Sequence, residues 1–164
     1  TNSGTTQAAV FDFVIPRGAT GSAPAVETLS AYTAAQQTST AGNALVFANN
    51  GVTSGDAITH TANTSDFTIN ETGIYRVDLR LTLAPGTGAS FPLAVRLSLQ
   101  QEGTDVSGAA VTDTMQTATD NDPISLSQIV QVTSAPSTLA VNGTGGAFSY
   151  SDAAMTITKL GETT

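Results

Sequence analysis

Gly73-Ile74-Tyr75-Arg76-Val77-Asp78-Leu79-Arg80-Leu81-Thr82-Leu83 alternates strictly: Tyr75, Val77, Leu79, Leu81 and Leu83 are apolar, with Arg76, Asp78, Arg80 and Thr82 between them. Successive side chains of a strand point to opposite faces, whereas a helix needs a spacing near 3.6, so the run reads as a half-buried β-strand. After the break Pro85-Gly86-Thr87-Gly88 the pattern returns in Phe91, Leu93, Val95, Leu97 and Leu99, against Pro92, Ala94, Arg96, Ser98 and Gln100. The two runs are expected to be neighbouring ribbons sharing one apolar inside. Arg76, Arg80 and Arg96, three of the 5 basic residues in the chain, fall on the polar side of these ribbons.

Composition narrows what such a sheet protein can do. At 164 residues the chain suits one domain with a short appendage, large enough to bury a core without covalent staples. Cysteine is absent, which rules out disulfides, thiolate metal sites and thiol nucleophiles. Charged residues are only 11 %, the net charge is −8, and Thr, Ser, Ala, Asn and Gly dominate the rest. Few charges with many small, turn-forming residues suit an all-β protein of an extracellular or particle surface. Nucleic acid is a poor partner, since phosphate binding relies on clustered Lys and Arg. The longest apolar runs, such as Ala44–Ala48, fall far short of the ~20 residues a membrane helix needs, so no membrane insertion is expected. No signal peptide is visible, and the Thr1 start is expected to be that of a fragment.

Along the chain, residues 1–22 separate from the rest. Ala8–Ile15 reads as a strand stopped by Pro16-Arg17-Gly18, and two Gly-X-Y triplets follow at Gly18–Ala23. Two triplets cannot form a triple helix, so by themselves they are turn chemistry. From residue 23 short strands recur at Ala25–Tyr32, Asn43–Phe47, Ile58–Thr61 and Asp66–Asn70, then the two long runs, then Val106–Thr112, Ile124–Val132, Thr138–Val141 and Ala153–Leu160. Turns are expected at Asn49-Asn50-Gly51, Glu71-Thr72-Gly73, Glu102–Asp105 and Asn142–Gly146, with a polar loop at Thr117–Asn121. In Ile124–Val132 the residues Ile124, Leu126, Val130 and Val132 share one face and Ile129 stands on the other. About 8 to 10 strands without a convincing helix predict an antiparallel jelly-roll sandwich at roughly that strand spacing.

The segment Phe67-Thr68-Ile69-Asn70-Glu71-Thr72-Gly73-Ile74-Tyr75-Arg76-Val77 resembles the signature of the jelly-roll head shared by complement-type collagenous proteins and the tumour-necrosis-factor superfamily. A closer resemblance, over about Pro24–Leu160, is to the C-terminal domains of bacterial collagen-like surface glycoproteins, the BclA-type proteins of the spore exosporium. It rests on Ala23–Leu29, Ile58–Thr61 and Thr156–Leu160. Asn2–Thr5 followed by Val10–Gly18 is similar to a module upstream of Gly-X-Y stalks in such proteins and in phage tail proteins. A long stalk is missing here: either the repeat is naturally short or it has been removed. The resemblance implies that the chain assembles as a homotrimer, with residues 23–164 as the head and residues 1–22 as an N-terminal strand and collagen-like remnant. It places Tyr75, Arg76, Asp78, Arg80 and Ile129 near subunit contacts, unless the charged face is simply a solvated sheet. It implies a structural or adhesive role capping a collagen-like filament on a spore or cell surface, or a saccharide-recognising head of a phage tail, in contact with surface ligands or glycans.

Chemistry offers little for an enzyme. His60 is the only histidine, flanked by threonines, and no Gly-x-Ser-x-Gly, His-Glu-x-x-His or phosphate-cradling loop accompanies it. It is expected at a surface or interface. Asp105, Asp113, Asp120 and Asp122 are carboxylates in or beside loops without an aromatic platform for a sugar. Asp120-Asn121-Asp122 has oxygen ligands but not the rest of a calcium loop, so it reads as a turn. No cofactor, metal or catalytic residue is assigned. Asn-x-Ser/Thr sequons occur at Asn63, Asn70 and Asn142, and the many hydroxyls are candidate O-linked sugar sites.

Overall fold

The computed structural model of the chain describes residues 25–39 and 42–163. The expected strand Ala8–Ile15 and the triplets at Gly18–Ala23 lie outside the described residues, as does the boundary at residues 22 and 23. Within them the strands are β1 (Thr28–Thr33), β2 (Gln37–Ser39), β3 (Asn43–Ala44), β4 (Asn49–Ser54), β5 (Ile58–His60), β6 (Phe67–Ile69), β7 (Gly73–Pro85), β8 (Leu93–Gln101), β9 (Thr104–Met115), β10 (Asp122–Val132), β11 (Ser137–Gly145) and β12 (Phe148–Gly161). No helix occurs among the described residues, hence none long and apolar enough to cross a membrane.

The strands build two antiparallel sheets. One runs β10-β7-β12-β1-β4, with β2 added on β12, and the other runs β5-β6-β11-β8-β9, with β3 added on β11. The chain changes sheet between β2 and β3, β3 and β4, β4 and β5, β6 and β7, β7 and β8, β9 and β10, β10 and β11, and β11 and β12. That is an antiparallel jelly roll, as expected. Its core lies between the sheets. Tyr75, Val77, Leu79, Leu81 and Leu83 of β7 face Leu93, Val95, Leu97 and Leu99 of β8 across it, each 4 % exposed or less. Burying each such side chain stabilises the fold by about 1.5–3 kcal/mol.

Five local expectations are corrected. The two long alternating runs are not sheet neighbours: residues 86–92 carry the chain across the sandwich, so β7 and β8 share the core from opposite sides. Arg76 and Arg80 consequently point away from Arg96. Phe91 stays outside the β8 ladder and is 38 % exposed. Asn49-Asn50-Gly51 is part of β4 rather than a turn. Its glycine serves close approach, because a Cβ at Gly51 would come 2.6 Å from Ser30 Oγ where β4 bulges, Gly51 and Val52 standing against Ser30 alone. Asn142–Gly145 likewise continues β11, and Gly143 leaves room for the ring of Phe148, which a Cβ would strike. β9 and β12 also run beyond their expected bounds, since glycine and hydroxyl residues there continue the ladder that β8 and β7 template.

The open flank of the sandwich is closed by side chains. Tyr150, 3 % exposed, accepts the Val46 N–H at 2.8 Å and donates its hydroxyl to the Val46 carbonyl at 3.0 Å, anchoring the segment that buries Leu45 and Phe47. On the seam between β4 and β5, the edge strands of the two sheets, Asn50 Nδ2 donates to the His60 carbonyl at 2.8 Å. The His60 ring stacks on Phe67 at 4.3 Å between centroids. Its nitrogens lie 2.5 Å from Asn50 Oδ1 and 3.2 Å from the Thr64 carbonyl. Burial lowers its pKa below 6.5, and the Thr64 carbonyl and the Asp66 charge only partly oppose that. His60 is therefore a partly buried seam residue rather than a free surface group.

Candidate functional site

Alternation along β7 decides what its sheet shows to the outside. Odd residues enter the core, so Ile74, Arg76, Asp78, Arg80 and Thr82 stand on the outer face. Antiparallel register then aligns three rungs across the strands β10, β7, β12 and β1. The first is Ile129, Arg76, Thr158 and Thr28; the second Ser127, Asp78, Thr156 and Ser30; the third Ser125, Arg80, Ala154 and Tyr32. Arg76, Asp78, Arg80 and Ile129 thus share one face. Tyr75 does not: its ring is fully buried and its hydroxyl donates to the Glu71 carbonyl at 2.8 Å. Its odd position puts it with the core set, so its place among the contact residues is corrected.

Two rungs are internally satisfied. Arg76 grips Asp78 two residues along the strand, Nε at 2.8 Å from Oδ2 and a terminal nitrogen donating to Oδ1 at 3.1 Å. Ser127 Oγ donates to the same Oδ1 at 2.7 Å. Burial pushes the Asp78 carboxyl up, yet the hydrogen bonds from Ser127 and Arg76 and the Arg76 charge outweigh it and the net shift is down. Thr28 Oγ1 donates to the Ile157 carbonyl at 3.0 Å and sits 2.8 Å from Thr158 Oγ1. Ser30 Oγ accepts the Val52 N–H at 2.9 Å, tying on the edge strand β4.

The third rung is different. Arg80 is exposed and has no hydrogen-bond or ion-pair partner among the described residues, where every other cation has one. Beside it β12 bulges between Ser151 and Ala154, and Asp152 takes a left-handed φ of 49° there. A depression of about 400 Å³ bounded by Ser30, Tyr32, Asp78, Arg80 and Thr156 occupies the middle of the face. Tyr32 is 44 % and Ile129 60 % exposed, so two sizeable apolar groups flank a floor of Ser, Thr and Ala. Tyr32 and Asp152 are contributions that sequence reasoning missed. The period-two set Thr28, Ser30, Tyr32 signalled the first; nothing in the sequence signals a bulge.

Asp105 and Asp120 are held by bonds within the subunit. Asp105 accepts from Gln100 at 2.9 Å and Ser98 at 3.1 Å and pairs with Arg96 at 2.8 Å; the Gln100 and Arg96 hydrogen bonds lead in holding its pKa down. Asp120 closes a turn by accepting the Thr117 hydroxyl and the Gln116 and Thr117 amides, which lower its pKa. Asp122 is pushed up, by burial first and by the charge of Asp113 next. No group of three or more His, Asp or Glu among the described residues is placed to hold a metal ion. A cleft of about 550 Å³ lies between the β8–β9 turn and the β10–β11 loop, lined by Glu102, Asp105, Thr133, Ser134 and Ser137 among others. Of the sequons, Asn63 is exposed with φ 64°, Asn70 Nδ2 donates to the Asp56 carbonyl at 2.9 Å, and Asn142 is part-buried in β11.

No family model and no curated protein matches the chain. Solved structures do. The chain is similar to Eiger TNF from S. frugiperda, with a TM-score of 0.64 at 13 % identity, covering 86 % of this chain and 96 % of that one. It is also similar to murine APRIL, solved at pH 5.0, with a TM-score of 0.59 at 11 % identity, covering 82 % of this chain and 99 % of that one. At such identities the likeness is one of fold, and the chain has the TNF-like jelly-roll fold.

Proposed function

We propose that this domain is a homotrimeric head: a non-catalytic structural and adhesive module that caps and registers a collagen-like filament on a bacterial spore or cell surface. The observation that carries the reading is the outer face of the β10-β7-β12-β1-β4 sheet. It combines short side chains that let another backbone approach with protruding Ile129 and Tyr32 and an unpartnered Arg80, features of a surface that is covered in use. A patch used around a threefold axis is used three times, so a modest face suffices. Chain registration is the mechanism. Three Gly-X-Y strands must be aligned before a triple helix propagates, and a trimeric head aligns them. The triplets at Gly18–Ala23 and the resemblance to BclA-type heads support this assignment.

The test is to extend the N-terminus with ten Gly-Pro-Pro triplets and follow triple-helix refolding by circular dichroism. With the head present, refolding is expected to be fast and independent of concentration below 10 µM on the scale of about one decade. Refolding no faster than the free repeat peptide at the same concentration would refute capping.

The cleft beside Glu102 and Asp105 favours a second reading, a saccharide-recognising head of a phage tail on a virion. Its hydroxyls and carboxylates suit sugar hydroxyls, though it has no aromatic lining. A glycan array separates the two, since a capping head gives no signal on it.

A further inference from the structure

We propose that in the trimer Arg80 of each subunit pairs with Asp152 of the next copy, closing a ring of three ion pairs that locks the register of the heads. The inference rests on the trimeric reading above and names the residues that would enforce it. Each described cation other than Arg80 is already bound: Arg76 to Asp78, Arg96 to Asp105, and Lys159 to both Glu71 and Glu162. Covering an unpaired guanidinium in a subunit contact is strongly unfavourable, so a face that closes over Arg80 has to supply an anion. Its own neighbours do not. Asp78 is committed to Arg76 and Ser127, and Asp152 forms no ion pair with Arg80.

Asp152 is the anion built for the purpose. The bulge in β12 sets Asp152 and Ala153 against Leu81 alone, next to the Arg80–Ala154 pair, and Asp152 takes a left-handed φ of 49° with its side chain exposed. Its carboxylate makes no hydrogen bond or ion pair with the described residues of its own subunit; the hydrogen bond at Asp152 is made by its own N–H, donated to the Ala34 carbonyl at 3.4 Å. Arg80 and Asp152 flank the same depressions beside Tyr32 and Pro123, side by side but unbonded. Two complementary charges next to one another on one face suit a head-to-tail contact, in which each subunit offers its arginine to one neighbour and its aspartate to the other. Such a ring also opposes the mutual repulsion of three chains that each carry −8.

The experiment compares wild type, Arg80→Asp, Asp152→Arg and the double exchange by sedimentation equilibrium at pH 7 and 0.15 M NaCl, with folding of each checked by thermal melting. Each single reversal sets like charges against one another three times, and the trimer is expected to dissociate at concentrations at least about 100-fold higher than wild type. The double exchange is expected to return to within about 10-fold of wild type. Single reversals that trimerise as wild type does, or a double exchange no better than the singles, would overturn the pairing. So would single reversals that trimerise normally but lose calorimetric binding of glucuronate, which would make Arg80 the seat of a small carboxylate. If a reversal unfolds the chain, Arg80→Gln decides by salt: wild-type association is expected to weaken between 0.05 and 1 M NaCl on the scale of about 10-fold while the variant stays flat, and equal salt dependence overturns the pairing. A monomeric wild type overturns the trimeric reading itself, which keeps the two failures apart.

Discussion

Replacing Tyr150 by Phe removes one oxygen and leaves every apolar contact of the ring in place. That oxygen accepts the Val46 N–H at 2.8 Å and donates to the Val46 carbonyl at 3.0 Å. Val46 is half-buried between Leu45 and Phe47, both fully buried, so its backbone groups have little access to replacement water. Two hydrogen bonds at a net value of about 1 kcal/mol each give a loss of about 2 kcal/mol, and full desolvation of one orphaned group raises it to about 4 kcal/mol. For a domain of this size 1 kcal/mol corresponds to about 2–4 °C, so Tm is expected to fall by about 4–16 °C. Differential scanning calorimetry at pH 7 checks it, with both proteins at one concentration because association shifts Tm. Val46 amide exchange should accelerate by a matching factor. A Tm within about 1 °C of wild type would refute the idea that this hydroxyl anchors the flank of the sandwich.

Ile129→Asp tests the outer face: burial of a side chain now 60 % exposed contributes about 1–2 kcal/mol per contact, so with three copies the trimer constant should weaken by a factor of about 100 to 10,000, read by sedimentation. Monomer stability at high dilution should be unchanged, and loss of the fold instead would place Ile129 in the core. His60 sets a mild acid sensitivity. Because its folded pKa lies below 6.5, its contribution is complete above pH 6.5 and is lost as pH falls through the lower folded value, while the depressed Asp78, Asp105 and Asp120 carboxyls act only below pH 3.8. Urea midpoints should therefore drop between pH 6.5 and 5 in wild type and stay flatter in His60→Gln. At the alkaline end Lys159 is raised, chiefly by hydrogen bonds to Glu162 and Glu71, and Tyr75 and Tyr150 are raised by burial. Stability is complete below pH 10 and should fall above it, and Lys159→Met should remove part of that slope in the same titration.

Period-two alternation made β7, β8 and β10 legible before any coordinates, because each buries one face and leaves the other wet. It also settled which way Ile129 points. What alternation does not encode is which sheet a strand joins: β7 and β8 have the same pattern yet face each other across the core, since pairing is decided by non-local partners such as β12 and β11. Gly51 and Gly143 look like turn punctuation in the sequence but permit close packing inside strands. The resemblance places Tyr75 near subunit contacts, whereas its own parity assigns it to the core, where its ring is buried. The third rung was half legible. Arg80 stood out as a cation in a chain with few of them, but its freedom from any partner and the bulge at Asp152 depend on backbone geometry that residue types alone do not specify.

The central claim is self-association, and the mass of the wild-type head in solution tests it most directly. Sedimentation equilibrium at micromolar concentration and 0.15 M NaCl is expected to give about 50 kDa, three times the chain mass of 16.5 kDa. A single species of 16.5 kDa under those conditions would contradict the account.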